Sequence, residues 1–106
     1  METIQDILNG CKTLLEHHYG AHFKGLVLYG STARDQAGPE SDIDLLVLLD
    51  EPIDYFLELR RIIEILYPLQ LETDRLISVK PVFLTDFEQG RFQLFRNAKR
   101  EGVLVI

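Results

Sequence analysis

Apolar positions recur along the chain in two rhythms. Over residues 2–19, Ile4, Ile7, Leu8, Cys11, Leu14, Leu15 and His18 follow helical spacing and predict an amphipathic helix, with Gly20 as its stop. Gly10 interrupts that pattern and weakens it locally. Residues 23–29 end in the run Leu26-Val27-Leu28-Tyr29 and predict a buried strand, closed by Gly30-Ser31. Ser31 suits the cap of a short helix reaching about Asp35. Residues 37–41, Ala-Gly-Pro-Glu-Ser, form a turn-rich loop. Residues 42–49 are the second strand. The run Leu45-Leu46-Val47-Leu48-Leu49 has no polar alternation, so both faces of that strand should be covered.

Pro52 then suits the first turn of a helix over residues 53–67, carrying Ile53, Phe56, Leu57, Leu59, Ile63 and Leu66, with Pro68 ending it. A third strand is predicted over 76–84. Thr85 and Glu88 have the spacing of a capping box for a helix over 86–100, whose apolar positions Phe87, Phe92 and Phe95 are expected, with Leu84, in the core rather than as a base-stacking platform. Gly102 releases an apolar tail, 103–106, which is either another strand or a docking segment. Helical and strand patterns alternate without repeats, which predicts an α/β domain. The 106 residues suffice for one domain, 1–106, with one core.

Charge narrows the functional classes. The net charge is -6, and an acidic chain is a poor general binder of nucleic acid. The excess sits in residues 1–50, where eight acids face Lys12, Lys24 and Arg34. Cys11 is the one cysteine, so an internal disulfide or a multi-cysteine zinc site is excluded and a reducing compartment is the natural setting. Met1–Asp6 is polar and acidic, unlike a signal peptide. No apolar run approaches the ~20 residues of a membrane span. A cytoplasmic protein is expected.

Two features point to chemistry. The first is a strand ending in Gly30-Ser31 at a helix start. Glycine admits close approach to the backbone, and a helix N-terminus favours an anion such as phosphate. Taken alone, the same residues describe an ordinary capped turn. The second is Asp42-x-Asp44 at the mouth of an apolar strand. Side chains two apart share a face, so the carboxylates repel unless a cation joins them. Mg²⁺ is held by one or two carboxylates together with phosphate oxygens and water. Taken alone, the pair reads rather as two exposed acids where a loop enters a strand. Together, a phosphate cradle and a carboxylate pair on consecutive strands suit metal-assisted phosphoryl or nucleotidyl transfer.

Gly30-Ser31, ten intervening residues, then Asp42-Ile43-Asp44 resembles the signature of the DNA polymerase β-like nucleotidyltransferase superfamily. The stretches Gly30-Ser31-Thr32-Ala33-Arg34 and Pro39-Glu40-Ser41-Asp42-Ile43-Asp44-Leu45-Leu46-Val47 are similar to its minimal nucleotidyltransferases. Arg100-Glu101-Gly102-Val103 resembles a less specific ending of that group. The resemblance implies a mixed β-sheet flanked by helices, the palm-like nucleotidyltransferase fold. It implies that Gly30 and Ser31, assisted by Arg34, bind the triphosphate of an NTP, ATP by preference. Asp42 and Asp44 would hold Mg²⁺ in a site for up to two ions, and a third carboxylate on the next core strand would complete it. An acceptor hydroxyl would receive the NMP group. Minimal members are often paired with a small helical protein of the HEPN class as toxin and antitoxin, which implies AMP transfer to a tyrosine of that partner.

The sequence departs from the pattern on its third strand, which has no acid. Ser78 and Lys80 alternate onto one face there. Lys80 is open to three readings: a partner of Asp42 or Asp44 that competes with a second metal, a phosphate contact, or a solvated edge residue. Glu72, Asp74 and Asp86 flank the strand and serve only if it is shorter than predicted. Asp35 replaces a glycine common in the family. The alternative function is therefore a nucleotide-binding or antitoxin-like scaffold with a degenerate site. A generic α/β domain matching by chance is the third reading. His17, His18 and His22 read as dipole-complementing residues near a helix end, and Arg91, Arg96, Lys99 and Arg100 as a solvated basic face. The apolar tail and small core also suit a homodimer or a hetero-complex.

Overall fold

The computed structural model describes residues 3–29 and 42–104. Helix α1 spans Ile4–Tyr19. It opens on a reciprocal cap. The Thr3 hydroxyl accepts the Asp6 N–H, and the Asp6 carboxylate accepts the Thr3 N–H, each at 3.1 Å. Gly20 ends the helix as expected, and a 3-10 turn, Gly20–His22, leads into β1 at Phe23–Tyr29. Strand β2 spans Ile43–Leu49, helix α2 Tyr55–Gln70 and strand β3 Ile77–Phe83. Helices α3, Leu84–Glu88, and α4, Gln93–Glu101, precede the short strand β4, Val103–Leu104.

The strands form one mixed sheet in the order β3-β2-β1-β4. β1 pairs antiparallel with β2 and with β4, while β2 and β3 are parallel and need the α2 crossover between them. The expected mixed sheet flanked by helices is therefore what the chain builds. The tail resolves to a strand: Leu104 pairs with Val27 and Val103 with Leu28.

β2 is covered on both faces, as its unbroken apolar run predicts. Ile43, Leu45, Val47 and Leu49 join Leu26 and Leu28 against Ile7, Leu8, Cys11 and Leu15 of α1 and Ile62 and Leu66 of α2. Leu46 and Leu48 point the other way, with Val27 and Val82, onto Phe87 of α3 and Ala98 of α4. Each fully buried leucine contributes roughly 1.5–3 kcal/mol over an exposed one. At Gly10 α1 lies close against α2, since a Cβ there would lie 3.0 Å from the Leu69 side chain. Among the described residues no helix is long and apolar enough to cross a membrane.

Three predicted boundaries are corrected. Pro68 does not end α2 but lies inside it, and the helix begins at the Asp54 cap rather than at Pro52. A proline fits the helical φ and forfeits one hydrogen bond. The last turn is closed past it by the Leu71 N–H on the Tyr67 carbonyl at 3.1 Å, and the Gln70 amide ties the helix end to β3 by donating to the Arg75 carbonyl and accepting the Ile77 N–H, both at 2.8 Å. The helix expected over 86–100 is two helices, and Thr85 lies inside α3 rather than capping it, because Phe83 is the cap residue. The break falls at Gly90, whose φ of 61° a side chain rarely adopts. Arg96 donates to the Gly90 carbonyl and Lys99 to the Glu88 carbonyl, both at 2.8 Å, so two residues of the basic face close this turn. The break also moves Phe92 out of the expected core. It is 53% exposed, stacked edge-on against Phe95 with the Arg91 guanidinium over its ring.

Gly102 is where α4 turns into β4 against β1. A Cβ there would lie 2.4 Å from the Ala98 carbonyl oxygen and 2.9 Å from Val27 Cγ1. Neither neighbour is a flexible chain end, so relief requires β4 to lift from β1. Gly102→Ala is expected to lower unfolding free energy by about 1–3 kcal/mol in urea titrations. An unchanged midpoint would show that the packing relaxes freely.

Candidate functional site

Asp44 is the second residue of β2 and the one position of that strand that is not fully buried. Alternation places it on the same face as Leu46 and Leu48, the face covered by α3 and α4. Its lateral neighbours are Tyr29 on β1 and Ser78 on β3. Asp42 lies two residues earlier, exposed, just outside the strand. Strand β2 thus carries its carboxylates at the end where the apolar cover thins.

The electrostatics follow from that position. Burial pushes the Asp44 carboxyl above the ordinary aspartate range, and the negative charge of Asp42 pushes it further, while Lys80 opposes both. The Tyr29 phenol is pushed up to about 12, first by burial, then by the Asp44 charge and by Tyr55. A carboxylate pair in which Asp42 disfavours the charge of Asp44 offers hard oxygen donors of the kind Mg²⁺ takes. The donor set fits that ion. Lys80 stands on the same face as Asp44, and its charge reaches that carboxylate, so it is not merely an edge residue facing water.

Gly30, Ser31 and Arg34, together with the short helix and turn expected over 31–41, lie outside the described residues. No third acid joins the pair among the described residues. Glu72 and Asp74 are exposed and lie between α2 and β3, and the only described charges acting on Asp44 are those of Asp42 and Lys80. β3 is one residue shorter at each end than expected, which does not help. Asp86 sits in α3 beyond the far end of β3, roughly 17 Å along the strand from Ser78, and its carboxylate meets Arg91 at 3.4 Å. An apolar cleft of about 370 Å³ opens beside Lys80, walled by Tyr55, Phe83, Phe92 and Phe95.

A second polar cluster occupies the opposite end of the sheet and was not foreseen. His22 Nδ1 lies 3.0 Å from Asp50 Oδ1 and 3.3 Å from Glu51 Oε1, and Lys24 reaches Asp50 at 3.7 Å. The hydrogen bond with His22 holds the Asp50 carboxyl below its usual range. A cavity of about 230 Å³ beside it is lined by His18, Tyr19, Glu58 and Arg61. His22, Asp50 and Glu51 have the mutual spacing of a metal-binding group, although all three are exposed. The signal was present in the pairing. An antiparallel β1–β2 hairpin sets the residues before β1 beside those after β2, as Phe23 opposite Leu49 shows. The same pairing puts this cluster at the far end from Asp44, which lies opposite Tyr29.

Residues 7–103 match a family described as nucleotidyltransferase domain. No curated protein matches the chain.

The raised Asp44 carboxyl has a measurable consequence. Its folded-state pKa exceeds the unfolded value, so the folded chain binds more protons and loses stability as pH rises through that interval. With divalent ions chelated, the stability of the wild type relative to Asp44→Asn should fall as pH rises from about 4, the ordinary aspartate value, through the raised folded-state value. Urea midpoints of both proteins across that range check this, and a constant difference would remove the charge conflict from the site.

Proposed function

Because the chain belongs to the nucleotidyltransferase domain family, we propose that it moves an NMP group, AMP by preference, from an NTP to an acceptor hydroxyl. The observation that carries this reading is the placement of Asp42 and Asp44. They share the exposed end of a strand that is otherwise sealed on both faces, inside the region matched to the family. In this reading the 106 residues act as a single minimal nucleotidyltransferase domain.

Asp42 and Asp44 hold Mg²⁺, which when bound neutralises phosphate charge and favours the ionised acceptor oxygen. The backbone N–H groups at Gly30 and Ser31 hold the triphosphate, and Arg34 adds a charge-assisted contact. The acceptor oxygen forms a bond to the α-phosphorus while the bond to the bridging oxygen breaks. Pyrophosphate leaves, and the hydroxyl proton passes to solvent. The rigid sheet keeps the carboxylates in place through the transfer. A protein tyrosine on a small helical HEPN-class partner suits the acceptor role, with the modified partner silenced in a toxin–antitoxin pair. This partnership rests on resemblance, and the acidic chain argues against nucleic acid as the acceptor. The cytoplasm, where NTP and such a partner meet, is the fitting compartment.

One observation favours a second reading. No third carboxylate accompanies Asp44 among the described residues, which is what a nucleotide-binding scaffold without turnover would also present. Incubation with Mg²⁺, α-labelled ATP and the product of the neighbouring gene separates the two. Label should move to that protein, and Asp42→Asn or Asp44→Asn should reduce transfer on the order of a hundredfold or more. Nucleotide binding without transfer, across metals and acceptors, would establish the scaffold instead.

A further inference from the structure

β3 runs beside β2 with Ser78 level with Asp44 and Lys80 level with Leu46. Side chains two apart share a face, so Lys80 stands on the carboxylate face, one residue pair in from Asp44. Diagonal neighbours of this kind have backbones roughly 7–8 Å apart, within the reach of a lysine stem. Lys80 is half-buried, so its four-carbon stem is confined by the sheet and by the cleft it lines with Tyr55 and Phe92. Its charge acts on Asp44 and opposes both burial and Asp42. β3 itself, Ile77–Phe83, carries no acid.

We infer that Lys80 is a fixed cation of this site and limits the Asp42–Asp44 pair to one divalent ion. This rests on the reading of that pair as the metal site. Two ions in a transfer site sit about 3.5–4 Å apart and share carboxylate bridges. A second ion here would have no further carboxylate on β3 and would face the Lys80 ammonium. Repulsion between a dication and an ammonium confined on one face is strong where water is partly excluded. The ammonium also supplies what such an ion would offer to the substrate. Lysine binds phosphate as a point charge. One divalent ion and one lysine then share the charge of the nucleotide, and occupancy of the second position does not depend on metal concentration.

Counting bound Mn²⁺ tests this without any turnover. The full chain is titrated with Mn²⁺ in saturating α,β-methylene ATP. Free ion is followed by electron paramagnetic resonance, and an analogue-only titration is subtracted. One Mn²⁺ per wild-type chain is expected, and two per Lys80→Glu chain. Without nucleotide, Lys80→Glu should tighten the first ion on the order of tenfold, since it replaces a repulsive charge with an attractive one. Lys80→Gln, which only removes the charge, should tighten it less. Two ions on the wild type overturn the inference, as does Lys80→Glu with one ion at unchanged affinity. No ion on either the wild type or Asp42→Asn overturns the metal reading of the pair and this inference with it. If Lys80→Glu fails to fold by circular dichroism, the wild-type count and Lys80→Gln decide.

Discussion

Everything in this fold answers to one strand. β2 is apolar at every position but Asp44, and a strand without alternation cannot leave either face to water. Covering one face takes α1 and α2, which press Cys11, Leu15, Ile62 and Leu66 onto Leu45 and Val47. Covering the other takes the α3–α4 pair, which brings Phe87 and Ala98 onto Leu46 and Leu48. The parallel partner β3 in turn requires the α2 crossover, so the helix that closes the core also sets the register that brings Ser78 beside Asp44.

The site is the residue of that packing. A carboxylate at the end of a doubly covered strand is partly desolvated but still reachable, and burial is the largest influence on its protonation. A second carboxylate two residues away worsens the conflict, and Tyr29 feels the same negative field. Such a concentration of unfavourable charge is retained where a ligand relieves it. Phosphate chemistry with a divalent cation is one such relief, and residues 7–103 match a nucleotidyltransferase domain. The cluster of His22, Asp50 and Glu51 shows the contrast. There the His22 ring nitrogen already meets Asp50 at 3.0 Å and the Lys24 ammonium reaches it at 3.7 Å, at the exposed end of the hairpin, and Asp50 is stabilised in its charged form.

Local signals carried far in some stretches and failed in others for identifiable reasons. Strand β1 and the stop of α1 at Gly20 were legible because apolar spacing and a glycine cap act within a few residues. Pro68 does not end the helix because one lost hydrogen bond is outweighed by contacts a local pattern does not show, among them the bonds of Gln70 to Arg75 and Ile77 past a turn. The split between α3 and α4 escaped notice because Gln89-Gly90-Arg91 does not disturb the apolar period enough to reveal a positive φ. Phe92 was misassigned with it, since exposure follows from the break and not from residue type.

What the sequence determined by itself was the α/β alternation, the doubly covered strand and the pairing of Asp42 with Asp44 across a short spacing. Those depend on period and chemistry, which are local properties of a chain. Only the tertiary structure decided which residues face that pair. The parallel register of β2 and β3 put Ser78 and Lys80 rather than Ile77 and Val79 on its face, and the antiparallel β1–β2 hairpin gathered His22 with Asp50 and Glu51 at the other end. Register is a contact between segments distant in sequence. A shift of one residue would turn Lys80 to the opposite face, and no local pattern along β3 states which of the two faces β2 will meet.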